Sequence, residues 1–193
     1  MIRFATEQDL PAILEIYAPF VENTPVSFEY SVPTLKDFTA RFLAVTAQFP
    51  WLVWEEQDTV LGYAYASAPF ERAAFSWCAE PSIYLTPAAQ GKGIGRTLYT
   101  ALEQLLKLQG YRTLYAIITT DNTSSVAFHK AMGYSHLAEF PDCGFKQGSW
   151  HGITWLQKLL NPVDMPTDFP KPLPKIVEDV QNLEDFLDNI TLS

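Results

Sequence analysis

The stretch YLTPAAQGKGIGRTLYTALEQLL, Tyr84 to Leu106, decides how this chain folds. It opens apolar, passes through Gly91, Gly93 and Gly95 within five residues, and closes on an amphipathic repeat. Glycines let backbone approach a ligand closely, and each costs conformational entropy on folding. A loop this bare is either a tight turn or a cradle, and three phosphate-holding patterns compete for it. A dinucleotide fingerprint requires G-x-G-x-x-G, but Arg96 stands where the third glycine belongs. A Walker loop requires G-K-[ST] after four spaced residues, which GIGRT does not supply. The remaining arrangement is Gln90-x-x-Gly93-x-Gly95. There, successive amides at a helix N-terminus point at a pyrophosphate, with the helix dipole behind them. Lys92 and Arg96 add charge for further phosphates, and Leu98, Leu102, Leu105 and Leu106 give the helix a face to bury.

Outward from that loop, the chain alternates strands and helices. IRFAT reads as a first strand, and Thr6 to Asp9 as a capping-box-like start with Asp in place of Glu or Gln. Leu10, Ile13, Leu14, Tyr17, Phe20 and Val21 repeat at helical spacing, with Pro11 near the start where it is tolerated. Thr34 and Asp37 open a second helix with Leu35, Phe38, Phe42 and Val45 on one face. WLVWEE and VLGYAYASA flank a Gln57–Asp58 turn as a hairpin. Pro81, inside the next strand signal, predicts an irregularity or bulge. After the glycine loop, its helix stops near Gly110; TLYAIITT is a strand, and DNTSSVAFHKAMG a short helix capped by Asp121 or Asn122. Two more strands are expected near 136–140 and 152–160. The order β-α-α-β-β-β-α-β-α-β-β is mixed α/β (α+β), with a mostly antiparallel sheet flanked by helices.

From Asn161 the character changes. Five prolines between Asn161 and Ile176 read as an extended linker over 161–175. Ile176, Val180, Leu183, Leu187 and Ile190 form one stripe, so 176–193 reads as an acidic amphipathic helix expected to dock on the body or on a dimer mate. Seven acids against two lysines give this tail over half of the formal charge of -9, so the body, residues 1–160, is only mildly acidic.

Charge and composition exclude several classes. A pI near 4.7 argues against general nucleic-acid binding, which needs a basic footprint. Cys78 and Cys143 are far apart and His129, His136 and His151 show no ligand spacing, so no metal is expected. The cysteines read as free thiols in a reducing compartment. With neither a signal peptide nor a membrane-length apolar run, the expected location is cytoplasmic, without a membrane partner. Aromatics reach 14%, which suits an aromatic-lined pocket or interface and equally an aromatic core.

At this point the sequence resembles a known family. IYLTPAAQGKGIGRTLY is similar to motif A of the GNAT N-acetyltransferase superfamily, and NTSSVAFHKAMGY to the motif B that follows. ERAAFSWCAEPSIYL, FPWLVWEE, HKAMGY and GFKQGSWH narrow the resemblance to the phosphinothricin acetyltransferase type, collinear from Ile2 to about Leu160. The resemblance implies the GNAT fold, with splayed central strands holding acetyl-CoA as co-substrate. It implies that backbone at Ile83, Tyr84 and Leu85 pairs with the pantetheine arm. It further implies that Gly91, Lys92, Gly93, Ile94, Gly95 and Arg96 hold the pyrophosphate, and that Asn122 lies along the CoA. A bulge near Pro81 would splay two strands and open a slot for the arm.

Acyl transfer from a thioester to an amine needs a base for the ammonium, donors for the oxyanion and an acid for the leaving thiolate. Glu80 lies in the otherwise apolar WCAEPSIY. Its residue type alone also fits a solvated strand position, but the resemblance places it on the family's catalytic glutamate. Burial would raise its pKa toward that of a useful base. His129, otherwise a helix-surface or core histidine, falls where the phosphinothricin branch carries a histidine, and when protonated it would donate to the thiolate. Tyr99 is expected in the core. Arg72 matches a family arginine in the acceptor loop and would pair with an anionic substrate group. Phe28, Phe75, Trp77 and Trp150 would line the acceptor side. Tyrosine is common in the family at the place of Phe75, and the lost hydroxyl removes a substrate hydrogen bond, so phosphinothricin itself is not assumed to be the natural acceptor. Lys146 and His151 lie in a family-like loop with no role legible from sequence.

The expected activity is acetylation of the α-amino group of a small acidic amino-acid analogue, such as phosphinothricin or methionine sulfoximine. The alternatives are another amine, such as a polyamine or a protein N-terminus, and a non-catalytic CoA-binding module. Apolar, aromatic-rich strands near Trp150–Leu160 predict a homodimer.

Overall fold

The computed structural model describes residues 1–162, 168–179 and 186. Seven strands form one sheet: β1 (Ile2–Phe4), β2 (Trp51–Glu56), β3 (Thr59–Ser67), β4 (Cys78–Leu85), β5 (Thr113–Thr119), β6 (Ser135–Lys146) and β7 (Ser149–Leu159). Their spatial order is β1-β2-β3-β4-β5-β7-β6. Every neighbouring pair is antiparallel except β4–β5. That one parallel pair needs a crossover, and α3 (Ile94–Gln109) supplies it. The remaining helices are α1 (Leu10–Asn23), α2 (Leu35–Thr46), α4 (Thr123–Ala131) and α5 (Leu173–Asp179).

Local chemistry sets the boundaries. Asp9 accepts from the Thr6 amide at 2.7 Å, closing a capping box ahead of α1. The Asp37 amide donates to Thr34 Oγ1 at 3.2 Å, which starts α2. Gln57 and Asp58 both take positive φ, the hairpin geometry that matches strand twist. Gly110 at φ 96° ends α3.

Side-chain size divides the two faces of the sheet. Along β2 and β3 alternate residues point to opposite faces. Leu52, Ala64 and Ala66 join the core under α3, with Leu98, Leu102, Leu105 and Leu106. Trp51, Val53 and Tyr63 pack against Leu10, Ile13, Phe38 and Phe42 of α1 and α2. Small residues let α3 lie close to the sheet; the other face takes the large rings. Both readings of the aromatic content hold, because Tyr63 stacks on Tyr84 at 5.3 Å within the core while Tyr84 also walls the cavities described below.

Two expectations need revision. β3 pairs with β4 straight through Pro81 (opposite Ala66), with no register shift. The irregularity lies on the other side: β4 meets β5 only at Cys78–Thr113 and Ala79–Leu114, and then the strands part. Pro81 has no N–H to offer β5, so a splay forms there without a bulge. The proline-rich segment is not free where it is described. Phe169 stacks on Trp77 at 4.9 Å, and the Trp77 indole donates to the Asp168 carbonyl at 3.1 Å. Gln109 donates to the Lys171 carbonyl at 2.8 Å and accepts the Lys171 amide on its own carbonyl. Helix α5 starts at Leu173, inside the expected linker, and buries Leu173 and Ile176. Val180, Leu183, Leu187 and Ile190 lie outside the described residues.

Candidate active site

The splay between β4 and β5 opens three adjoining cavities. The first, about 440 Å³, is a groove lined by Gln90, Gly91, Gly93, Gly95, Arg96 and Asn122. The second, about 70 Å³, is a throat beside Pro81, Ile83, Ile118, Ser125 and His129. The third, about 350 Å³, holds Glu80 with Phe28, Ser27, Tyr65 and Thr119. Val26 and Tyr84 line all three.

The three glycines have two different reasons. Gly91 and Gly93 sit at φ 73° and 82°, where a side chain is strained, and an added Cβ would face open space. Gly95 is a packing position: its Cβ would stand 3.1 Å from Leu85 Cδ1. Gly93 caps α3, leaving the first amides of a 16-residue helix directed at the groove. This is a fit for a pyrophosphate-bearing ligand. The β4 edge beyond Ala79 has no ladder partner on the β5 side, which fits an extended amide-bearing arm. Arg96 is exposed at the groove. Lys92 is exposed outside the lining, and Ile94 buries its side chain in the core, leaving only its backbone for a ligand. Asn122 lines the groove while its Oδ1 accepts from the Ser125 amide at 3.2 Å as the cap of α4.

Glu80 is half-buried and forms no hydrogen bond or ion pair among the described residues. Burial alone pushes its carboxyl from 4.5 up to about 7. A carboxylate poised near neutrality, next to a throat leading to the groove, is matched to taking a proton from an ammonium. Glu29 lines the same cavity but is paired with Arg41 at 2.7 Å.

His129 differs from its sequence reading. It is only 4% exposed, and both ring nitrogens are taken. Nδ1 lies 2.8 Å from the Ser125 carbonyl, so it must carry the proton there; Nε2 lies 2.8 Å from the Tyr99 hydroxyl. Burial lowers its pKa, so the imidazole is neutral and Nε2 accepts from Tyr99. Direct donation to a thiolate would require protonation against that burial and release of Tyr99. Tyr99 is buried as expected, but it is also the histidine's partner, which helical periodicity could not reveal.

Phe28 reaches the Glu80 cavity; the other expected acceptor residues do not. Arg72 and Phe75 line a separate cavity of about 320 Å³ with Phe70, Cys78 and Phe169, and share no lining residue with that of Glu80. Trp77 faces Phe169, and Trp150 is 62% exposed against Phe145. The loop carrying Arg72 leaves the sheet after β3, and its Phe70 packs on Tyr115 and Trp155, so the loop lies beside the Glu80 cavity without lining it. Sequence reasoning missed Val26, Ser27, Tyr65 and Thr119, which come from three different stretches of chain and carry no motif.

Comparison with known proteins agrees with this geometry. Residues 2–155 match the acetyltransferase (GNAT) domain family. The chain is 32% identical over 173 residues to a phosphinothricin N-acetyltransferase of Streptomyces viridochromogenes, covering 90% of each. It is 35% identical to an L-methionine sulfoximine/L-methionine sulfone acetyltransferase of Salmonella typhimurium, covering 83% of this chain and 94% of the relative. Among solved structures, a phosphinothricin acetyltransferase from Sinorhizobium meliloti in complex with AcCoA superimposes with a TM-score of 0.85 at 35% identity, covering 90% of this chain and 96% of the other.

Proposed function

The chain belongs to the GNAT acetyltransferase family, and we propose that it transfers the acetyl group of acetyl-CoA to the α-amino group of a small amino-acid analogue of the phosphinothricin and methionine sulfoximine type. The observation that carries the reading is Glu80: a carboxyl pushed up to about 7 in a cavity joined by the throat to the glycine groove.

Gly91, Gly93, Gly95 and Arg96 bind the pyrophosphate of acetyl-CoA, with Lys92 near its outer phosphate and the unpaired β4 edge at Ile83–Leu85 holding the arm. The thioester brings an activated acyl carbon to the throat. Glu80 takes a proton from the acceptor ammonium, directly or through one water; the freed nitrogen lone pair forms the C–N bond, the C–S bond breaks, and CoA leaves as a thiolate that takes up the second proton the nitrogen loses. His129 positions the throat wall by holding Tyr99 and the Ser125 turn. Phe28, Tyr65 and Tyr84 keep water from the cavity and orient the acceptor.

Steady-state assays with acetyl-CoA and a panel of amines test the reading. Methionine sulfoximine and phosphinothricin should be acetylated with a kcat/KM at least tenfold above polyamines. A polyamine preference would favour the second reading, which rests on Glu29 joining Glu80 in the cavity while Arg72 stands outside it.

We further propose that residues 1–160 form the catalytic body and that the tail serves stability. Leu137, Phe140, Phe145 and Trp150, exposed along the β6–β7 edge, support a homodimer, which light scattering at micromolar concentration would reveal by mass. The free thiols Cys78 and Cys143 and the pI near 4.7 support a cytoplasmic enzyme without nucleic-acid or membrane partners.

A further inference from the structure

The GFKQGSWH segment, to which sequence assigns no role, forms the tip of the β6–β7 hairpin. Lys146 sits there, only 4% exposed. Its ammonium donates to the carbonyls of Val21 at 2.6 Å, Thr24 at 2.9 Å and Ser27. Three N–H donors thus meet three backbone acceptors where α1 ends and its carbonyls lack helical partners. A cation at a helix C-terminus is also favoured by the macrodipole.

These contacts hold the stretch that roofs the acceptor cavity. Val26, Ser27 and Phe28 line the space around Glu80, and Val26 continues into the throat and groove. The tip grips the same stretch elsewhere: Tyr30 donates to the Phe145 carbonyl, and Gln147 to the Glu22 carbonyl at 3.1 Å. It leaves room for it too, since a Cβ on Gly144 would stand 2.5 Å from the Phe28 ring. From behind, His151 joins the tip to the end of β5: its Nε2 donates to the Lys146 carbonyl at 3.2 Å and its Nδ1 lies 2.9 Å from Asp121.

We propose that Lys146 is a positioning residue for the transfer reaction: by tying the 21–27 turn to the hairpin tip it fixes Val26 and Phe28 over the Glu80 cavity, and Gly144 sets how deep the Phe28 ring lies. The hairpin tip is therefore a specificity element acting through the roof. The inference rests on reading the Glu80 cavity as the acceptor side.

The test uses the full-length protein with Lys146→Met, and Gly144→Ala alone and combined with Phe28→Leu. With methionine sulfoximine as probe, Lys146→Met should raise acceptor KM about tenfold or more, with acetyl-CoA affinity changed less than about threefold. Gly144→Ala should raise acceptor KM several-fold, and adding Phe28→Leu should recover part of that loss by returning the space. Carboxyl NMR of Glu80 supplies a readout that needs no acceptor. A loosened roof admits water, so the Glu80 pKa should fall toward 4.5 in Lys146→Met. A probe that is not acetylated by the wild type would sink the acceptor reading while leaving the NMR result to decide the role of Lys146. Folded Lys146→Met with an unshifted Glu80 pKa and unchanged KM would overturn the proposal. Should that variant not fold, Gly144→Ala decides it: a folded Gly144→Ala with unchanged acceptor KM would overturn the proposal.

Discussion

The glycine groove and the Glu80 cavity adjoin one another but are built in opposite ways. Most of the groove comes from one run, Ile83 to Arg96, in which a strand edge, two left-handed glycines and a helix N-terminus follow in order; Phe20, Val26 and the start of α4 close its other wall. The cavity draws Tyr17 from α1, Phe28 from a loop, Tyr65 from β3, Glu80 from β4, Thr119 from β5 and Ile153 from β7. Backbone groups dominate the first and side chains the second. A backbone site tolerates side-chain change but not a change of φ; a side-chain site does the reverse. The donor half should therefore be common to many chains of this architecture, and the acceptor half should be particular to each.

The largest expected effect tests the cavity. Glu80→Gln keeps the shape and removes the base, so kcat should fall about 10²–10⁴-fold with acetyl-CoA affinity nearly unchanged. In the wild type, kcat/KM should rise with pH through about 7, as the carboxyl ionises. The same substitution has a stability signature. The raised pKa means that the native state binds more protons than the unfolded one, so wild-type stability falls as pH rises from about 4.5 to about 7. Glu80→Gln should then melt higher than wild type at pH 8 and not at pH 4.5. Near-normal turnover from pH 6 to 9 would mean that alignment alone carries the rate.

The groove should break at its dihedrals. Gly93→Ala places a Cβ at φ 82°, costing about 1–2 kcal/mol of strain. Acetyl-CoA affinity should drop roughly tenfold by calorimetry, while acceptor KM moves little. An equal loss in both would show that the two halves are not separable.

Tyr99→Phe and His129→Ala probe the throat between them. Each should lower kcat by less than Glu80→Gln, within about tenfold, and leave the pH limb near 7 in place. Disappearance of that limb in His129→Ala would reassign the titrating group to the histidine.

The smallest effect on turnover should come from truncation after Pro162. Leu173 and Ile176 each lose burial worth about 1.5–3 kcal/mol, and Trp77 loses its ring partner, so the melting temperature should fall by several degrees. Loss of all turnover in a folded truncate that still binds acetyl-CoA would bring the tail into the active site.

The order of elements, the caps at Thr6, Thr34 and Asn122, the Gln57–Asp58 turn and the glycine cradle were legible because each depends on neighbours within a few residues. Glu80 stood out as a charge inside an apolar strand. Pro81 correctly marked a break, but its side of the strand was illegible, since a missing N–H matters only once the partner strand is known. Arg72, Phe75 and Trp77 were expected at the acceptor because the resemblance places them in the family's acceptor loop. In the fold, β4 carries Glu80 into the splay, whereas the residues before it turn toward Phe169 and the tail.

By itself, the sequence determined most of the backbone events: the order of strands and helices through β7, the turn at Gln57–Asp58, and that a helix N-terminus would follow the glycine loop. These follow from local sterics and hydrogen bonding, which act over a turn or two of chain. Only the tertiary structure decided which side chains share a space. It placed Glu80 where burial raises its pKa, tied both His129 nitrogens to Tyr99 and Ser125, and set Lys146 under a turn 119 residues away. Desolvation and long-range hydrogen bonds depend on which surfaces the sheet brings together, and no local rule encodes that.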